Sequence, residues 1–552
     1  MKKRIVVCCD GTWQNSDNGY IKPTSSNPIP ALQIPSNVTR ISRAFKRNCS
    51  DGTFQIIYYQ SGVGSKSGVI NRILGGAFGI GIAEVWVHAF LRQLGRLMQG
   101  QNIREAYSYI CANYVDGDEI VLVGFSRGAF TARSIGGMIS DLGLLTREGM
   151  DFFYPIFKDM QNWMDIDYED QFPQLPFPNK PKGPHAADEY RRKLVESTFR
   201  FYNTRLSNRI EHGFHALALD ETRGHFSPTL WERHPEEQDS SDLRQVWFPG
   251  SHGNIGGGWD DQGVANINLA WMMDQLASVG CEFRDDALEK LHDLNVQYYQ
   301  SLKSKKRKRE KAAKYCCGCC GALEKEPLPW AAPPIFDSNK PVRPWSLHSI
   351  QSVSGPMYDL VGSVTRSPGM YKKINPENGR RLRVFLDDTN ERIHGSVRVR
   401  LACEGLGLND SNVWECPALL KMWRPRRGPK DGNSRGQTDG PNNTAKEADG
   451  ANLIFSNDSR GVTVQGNNEL GQLRWVWEYI GPDVGAPFVR TLVEESMGPW
   501  EKHLLGLSTG QLHICNYAEA QDISKLKAFN GKIIAKSKLK KSEKPSKSSP
   551  GK

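Results

Sequence analysis

The sequence lacks an apolar run that would serve as a membrane span or a secretory signal. Its longest stretch of low charge, Ile73–Leu91, still contains Glu84, His88 and several glycines, so we do not expect it to cross a bilayer. The apolar run after Arg4 is too short for a signal peptide and leads straight into a turn. Internal repeats are also absent, which argues against solenoids and propellers.

Signatures of cofactor binding are equally scarce. No G-x-x-x-x-G-K-[S/T] sequence occurs, and Gly75–Gly81 does not follow a strand as a dinucleotide-binding loop does. The 12 cysteines of the 552 residues are mostly isolated, which is not the pattern of a disulfide framework. The dense group Cys316–Cys320 leaves three alternatives open, namely acylation, a soft-metal site or an incidental surface cluster. We therefore expect neither a metal nor an organic cofactor.

Excess positive charge is confined to two segments of the chain. The net charge is +10, while residues 303–311 hold seven Lys or Arg and residues 522–552 hold ten Lys. The rest is slightly acidic, which argues against a specific nucleic-acid-binding body. The basic segments predict weak contact with an anionic membrane, a nuclear address at residues 305–309, or simple solubilisation by a disordered tail. We expect an intracellular, cytoplasmic protein, and the oligomeric state stays open.

Short apolar runs alternate with helical patterns through the first 300 residues, which is typical of an α/β fold with a mostly parallel sheet flanked by helices. Strands are predicted at Arg4–Cys9, Thr53–Tyr59, Glu119–Val123, Phe214–Leu219 and Gln245–Phe248, and helices at Asn102–Tyr114, Arg127–Ile139 and Asn266–Ala277. Chemistry in such folds lies at the carboxyl ends of the strands.

Composition divides the chain into six segments. They are an α/β core over 1–300, a basic Cys-rich insert over 301–330, a continuation over 331–425, a linker over 426–450, an accessory segment over 451–520 and a tail over 521–552.

The sequence Gly124-Phe-Ser126-Arg-Gly128 matches the nucleophile elbow G-x-S-x-G. In that motif a sharp turn between a strand and a helix raises a serine above the sheet, and the flanking glycines avoid steric conflict. Ser126 follows an apolar strand and precedes a helix. Gly432–Gly436 has the same pattern but lies in the polar linker. Ser126 is therefore the predicted nucleophile, and an incidental serine in a Gly-rich turn is the alternative.

A serine nucleophile needs a histidine base and an acid that orients it. His252 follows the strand Gln245–Phe248 and precedes a Gly-rich loop, so we predict it as the base, with His394 as second candidate. Asp220 lies between Ser126 and His252 in chain order and is the candidate acid, although a structural ion pair is the alternative.

An oxyanion is stabilised by backbone N–H groups. Arg127, which follows the nucleophile, is expected to supply one donor. Asp10, Gly11 and Thr12, at the end of the first strand, are expected to supply another.

With these residues in view, the chain resembles an uncharacterised α/β-hydrolase domain family of fungi and bacteria that includes the type VI secretion phospholipase effectors. The matching segments occur in the family's order over about residues 4–480. They are Val6–Trp13, Gln60–Gly64, Asp118–Arg133, Ala216–Arg223, Val246–His252, Gly256–Gly258 and Arg366–Tyr371. The resemblance implies an α/β-hydrolase fold and a serine esterase or lipase that acts on ester bonds, including phospholipids, with Ser126 and His252 at the family's catalytic positions.

Three departures from the family stand out. A Trp-Asp-Thr-Val strand end, whose aspartate is the family's expected acid, has no counterpart near Ser197–Thr204. Asn254 replaces an aspartate, and Val85–Gln101 is inserted. Two explanations stay open, namely errors at splice boundaries and a catalytically impaired paralogue that acts as a binding or scaffold protein.

Overall fold

A computed structural model describes the elements that surround the predicted site. The residues it describes are 2–11, 20–21, 31–32, 34–62, 100–162, 205–233, 241–316, 330, 335–336, 342–352, 363–374, 381–429, 454–458, 461–465, 473–483, 485, 487, 489–509 and 513–521.

Fifteen strands are present among these residues. In chain order, β1 to β15 are Lys3–Cys9, Tyr20–Ile21, Ala31–Leu32, Phe54–Gln60, Glu119–Gly124, His212–Ala218, Asp242–Phe248, Lys372–Ile374, Arg381–Phe385, Glu391–His394, Trp423–Pro429, Ile454–Asp458, Gly461–Gln465, Leu473–Tyr479 and Thr491–Glu495.

The α-helices of the described residues are numbered in the same way. Helices α1 to α11 are Asn37–Ala44, 100–113, Arg127–Leu142, Phe153–Asn162, His252–Gly256, Gly263–Ser278, Ala287–Cys316, Gly395–Ala402, Pro417–Leu420, Pro499–Thr509 and Ile514–Ala520. Short 3-10 helices occur at Gly149–Phe152 and Gly224–Phe226.

The first sheet is parallel and has the order β4-β1-β5. Both faces of β1 are buried, as its continuous apolar run predicts. Ile5, Val7 and Cys9 pack against α2 and α3, while Val6 and Cys8 pack against α1 and α6. Because β1 pairs in parallel with β5, and Cys9 lies opposite Gly124, the carboxyl ends of the two strands lie side by side near the start of α3.

The second sheet has the order β11-β14-β15-β10-β7-β6. Its strands β6, β7, β10 and β15 run parallel, and β14 and β11 extend it in antiparallel fashion. Residues of both sheets share one core, in which Val123 of β5 joins Val246 and Phe248 of β7. The molecule is therefore of the α/β class, with helices flanking mixed sheets.

The edge of β5 that faces away from β1 pairs with no strand of the described residues. Its apolar residues Ile120, Val121 and Leu122 are half-buried, unlike the fully buried run of β1. The strand that the family resemblance implies between β5 and β6 would fall near Ser197–Thr204, which lies outside the described residues.

All five predicted strands and all three predicted helices are confirmed, with ends that shift by a few residues. The domain boundaries stay predictions. Helix α7 runs through residue 300, and β11 extends to Pro429, past the predicted start of the linker at 426. Gly75–Gly81, Gly432–Gly436, most of Val85–Gln101 and the tail from 522 lie outside the described residues. Of the helices that are described, none combines the length and the apolarity needed to traverse a bilayer.

Candidate active site

Ser126 lies at the sharp turn between β5 and α3. Its backbone has φ 56° and ψ −123°, a conformation that L-residues rarely adopt and that costs about 1–3 kcal/mol. A Cβ on Gly124 would come within 2.4 Å of the carbonyl oxygen of Gly128, and one on Gly128 within 2.1 Å of that of Cys9. Both glycines are thus sterically required, as the elbow motif predicts.

The ring of Phe125, next to Ser126, holds three parts of the predicted site together. It stacks on the imidazole of His252 with ring centroids 4.6 Å apart. A Cβ on Gly11 would lie 2.7 Å from this ring, and one on Gly256 only 1.9 Å from it. The end of β1, the elbow and the helix that begins at His252 therefore meet at one side chain.

His252 is the first residue of α5, and its imidazole contacts two aromatic rings. The ring of Phe226 makes a T-shaped contact with it at a centroid distance of 4.9 Å, and the ring of Phe125 stacks on it. Nε2 is buried without a hydrogen-bond partner in the described part of the chain. Burial lowers the pKa of His252 to about 4, with the nearby Arg223 and Arg366 acting in the same direction and Glu221 against it. The imidazole is thus neutral near pH 7, the form that can accept a proton.

Glu221 follows Asp220 directly in the chain and was not among the predicted site residues. Its buried carboxylate accepts the backbone N–H of His252 at 3.2 Å and binds the Arg223 guanidinium through two contacts of 2.8 Å. The contacts with Arg223 hold the pKa of Glu221 below its usual value although burial opposes them. The sequence signal for this pair is the acid-x-Arg spacing directly after a strand.

Asp220 is buried at the end of β6 and supports the loop that carries His252. Oδ2 accepts the backbone N–H of Gly250 at 2.6 Å, and Oδ1 accepts the indole N–H of Trp414 at 2.7 Å. Burial raises the pKa of Asp220. Within the described residues no hydrogen bond joins Asp220 to His252, so the structure brings this predicted acid near the histidine loop without placing it on the imidazole.

The predicted oxyanion residues are brought together only in part. Arg127 begins α3 and so lies at the positive end of the helix dipole. The N–H of Gly11 donates to Oδ1 of Asp10 at 2.7 Å. Three hydroxyl groups also donate to the Asp10 carboxylate, those of Ser36, Thr39 and Tyr59. Asp10 therefore anchors β1, β4 and α1, and Thr12 lies outside the described residues.

The Asn254 amide, which replaces an acid of the related family, caps the start of α5. Its Oδ1 accepts from the backbone N–H of Ser251 and of Gln351, at 3.1 and 3.0 Å. Its Nδ2 donates to the carbonyl of Ser349 at 3.2 Å, which a carboxylate could not do. The substitution thus suits the local hydrogen bonds of this chain.

His394, the second candidate base, is fully buried and has both ring nitrogens engaged. Nδ1 bonds the hydroxyl of Ser396 at 2.7 Å, and Nε2 bonds Glu501 at 2.5 Å. It faces Phe248 of β7 in a stacked contact at 4.4 Å. This arrangement is that of a structural histidine.

The described residues contain no group of His, Cys, Asp and Glu arranged to hold a metal ion. Cys316 ends α7, whereas residues 317–320 lie outside the description, so the alternatives for the Cys-rich group stay open.

Comparison with known proteins relates part of the chain to one protein family. Residues 3–196 and 183–275 match the family described as "T6SS, Phospholipase effector Tle1-like, catalytic domain". Over 245 residues the chain is 26% identical to "Uncharacterized protein YEL023C" of Saccharomyces cerevisiae, a match that covers 41% of this chain and 32% of the yeast protein. The matched part is thus about a third of the yeast protein's length. No solved structure matches significantly.

Proposed function

The chain is related to the type VI secretion phospholipase effectors, whose catalytic domain matches it over residues 3–275, and on this premise we propose that it is a serine hydrolase of carboxylic ester bonds with an α/β-hydrolase fold. Lipid esters are the proposed substrate class. Two observations support the proposal. Ser126 has a strained backbone of the kind found at a nucleophile, and the adjacent Phe125 stacks on the His252 imidazole, whose Nε2 has no partner among the described residues.

The mechanism follows from these two groups. The Oγ of Ser126 attacks the ester carbonyl and forms the C–O bond, while its proton passes to the neutral His252. The protonated imidazole then gives this proton to the departing alcohol, which leaves an acyl-serine. A water molecule, deprotonated by His252, releases the acid and restores the serine.

Charge on the carbonyl oxygen is stabilised at the start of α3 in this proposal. The backbone N–H of Arg127 is one donor, and the positive end of the helix dipole favours the developing negative charge. Asp10, Gly11 and Thr12 stay predictions as further oxyanion residues, since the Gly11 N–H is already bonded to Asp10. Asp220 likewise stays a prediction as the acid.

Contact of the basic segments with an anionic membrane is part of the same proposal. Lys303–Lys311 lies in the second half of α7, and its seven cationic residues would favour anionic lipid surfaces. We expect this contact to weaken with added salt.

The alternative is a non-catalytic binding or scaffold protein on the same fold. Two observations favour considering it: β5 has no second neighbour among the described strands, and Asp220 bonds Gly250 and Trp414 rather than the imidazole.

Labelling with a fluorophosphonate probe tests the proposal. We expect the folded wild-type protein to react and Ser126→Ala to lose all labelling, because the probe captures only an activated serine. Ser434→Ala is the matched control, since it removes the serine of the second G-x-S-x-G sequence, and should label like the wild type. A folded wild-type protein without labelling would refute the hydrolase and favour the scaffold alternative. If labelling occurs, release of fatty acid from phosphatidylcholine vesicles tests the substrate class.

A further inference from the structure

The segment from Glu221 to Phe226 contacts His252 through its first and last residues. Glu221 contacts the backbone of His252, and Arg223 binds the same carboxylate through its side chain and through its own backbone N–H, at 2.9 Å. The Arg223 guanidinium lies 3.7 Å from the centroid of the Phe226 ring. Phe226 in turn contacts the edge of the His252 imidazole. His252, Glu221, Arg223 and Phe226 are therefore linked in a ring of interactions.

Arg366 binds the backbone of two members of this ring of interactions. It is buried, and its guanidinium donates to the carbonyl oxygens of Arg223 and Phe226 at 3.0 and 2.8 Å. The 3-10 helix Gly224–Phe226 is thus tied at both ends. The imidazole has little freedom to rotate, because Phe125 packs on one face and Phe226 on its edge.

We propose that Glu221 is a positioning residue for His252 and that it supplies the negative charge expected of the missing acid without lying on the strand that bears that acid in related proteins. The inference rests on the proposed function, in which His252 is the base. Glu221 holds the first turn of α5 through the His252 N–H and orients the imidazole through Arg223 and Phe226. Its charge also favours the imidazolium that forms during the reaction.

Electrostatics of the surroundings support this role. The charged groups that act on His252 are Glu221, Arg223 and Arg366. The two guanidinium groups disfavour a positive imidazole, and Glu221 opposes them. Removing the Glu221 charge should therefore lower the pKa of His252 further, whereas a residue that merely stabilises the fold would leave this pKa unchanged.

The test compares Glu221→Gln with the double variant Glu221→Gln/Arg223→Gln. In the single variant the Arg223 charge is buried without its partner, so we expect lower stability and labelling that is about 10- to 100-fold slower. In the double variant that uncompensated charge is gone. Thermal stability should recover while labelling stays slow, because the carboxylate is still missing and the Arg223–Phe226 contact is lost as well. Recovery of both would overturn the inference, since Glu221 would then act through the fold alone.

Glu494→Gln is the matched control. Glu494 of β15 in the second sheet forms a bidentate ion pair with Arg398, and both contacts are 2.9 Å. The substitution breaks this pair. It should lower stability without slowing the labelling of folded protein. An equal loss of labelling would contradict a specific role for Glu221.

A second readout does not depend on activity. The pKa of His252, measured by NMR with histidine-labelled protein, should fall in Glu221→Gln and stay unchanged in Glu494→Gln. If the wild-type protein does not react with the probe but the pKa of His252 still falls in Glu221→Gln, the hydrolase proposal is refuted and the positioning role stands. An unchanged pKa in Glu221→Gln would overturn the positioning role, whether or not the wild type reacts with the probe.

Discussion

Serine, histidine and carboxylate groups come together in two regions of this molecule with opposite consequences. Around His394, the hydroxyl of Ser396 and the carboxylate of Glu501 occupy both ring nitrogens, and all three residues are buried. Around His252, Nε2 has no partner in the described residues, and Ser126, which follows the Phe125 that stacks on the imidazole, has an unfavourable backbone conformation. The same residue types thus form a fully hydrogen-bonded cluster around His394, whereas around His252 a buried ring nitrogen is left without a hydrogen bond.

The difference shows what makes a histidine available for chemistry. An imidazole with two internal hydrogen bonds is held in place and cannot take up a proton from an incoming group. A buried nitrogen without a partner costs about 1–3 kcal/mol, and the aromatic contacts of His252 with Phe125 and Phe226 help to offset that cost. Such local instability is typical of functional sites.

Exchanging the two histidines for glutamine gives the largest expected contrast. His252→Gln should slow fluorophosphonate labelling by about 10³-fold or more, because no base remains to take the serine proton. His394→Gln should leave the labelling rate of folded protein unchanged and lower the free energy of unfolding by about 2–3 kcal/mol. Labelling kinetics and urea unfolding of both variants measure this. Slow labelling in a stable His394→Gln protein would end the distinction between the two regions.

Gly128→Ala tests whether the strained turn at Ser126 depends on the close approach of the α3 backbone to the end of β1. The added methyl group would lie 2.1 Å from the carbonyl oxygen of Cys9 and 2.5 Å from that of Asp10, so β1 and α3 would have to separate. We expect a loss of about 3 kcal/mol or more in the free energy of unfolding and no labelling of the protein that still folds. Gly506→Ala in α10 is the control, because nothing lies within 4 Å of its added Cβ. Normal labelling of Gly128→Ala would argue against the elbow geometry.

Asp274 makes the buried cluster around Glu501 sensitive to pH. Its carboxylate accepts the N–H groups of Trp500 and Glu501 at 2.9 Å each, at the start of α10. Burial, with the Glu501 charge, raises the pKa of Asp274 to about 7. The folded protein therefore holds this proton more tightly than the unfolded chain, in which the pKa of an aspartate is about 3.9. The contribution to stability is full below pH 4 and is lost as the pH rises through 7.

The smallest expected effect is thus a decline of the melting temperature between pH 5 and pH 7, which should flatten in Asp274→Asn. A parallel decline in wild type and variant would show that other groups cause it. The labelling rate of folded protein should be the same in both, because this cluster belongs to the fully hydrogen-bonded region around His394.

Local patterns in the sequence predicted five strands and three helices that the structure contains, and they marked the turn at Ser126. β1 and β5 are built on continuous apolar runs, and β7 ends in the apolar residues 246–248, signals that are recognised within about ten residues. The serine turn is equally local, since Gly124 and Gly128 lie within two residues of Ser126. A change of composition is a different kind of signal, since the charge changes near residue 300 while α7 continues through it.

The partners of each polar side chain could be found only in the tertiary structure. Asp220 meets Trp414 across 194 residues, and His394 meets Glu501 across 107, distances over which no local pattern operates. Sequence order made Asp220 the candidate acid, whereas folding brought Glu221 to the His252 backbone. Residue type and chain order thus suffice to nominate chemical groups. Which group stays unpartnered and which is neutralised depends on packing and burial, because hydrogen bonds and desolvation act between atoms that only the folded chain brings together.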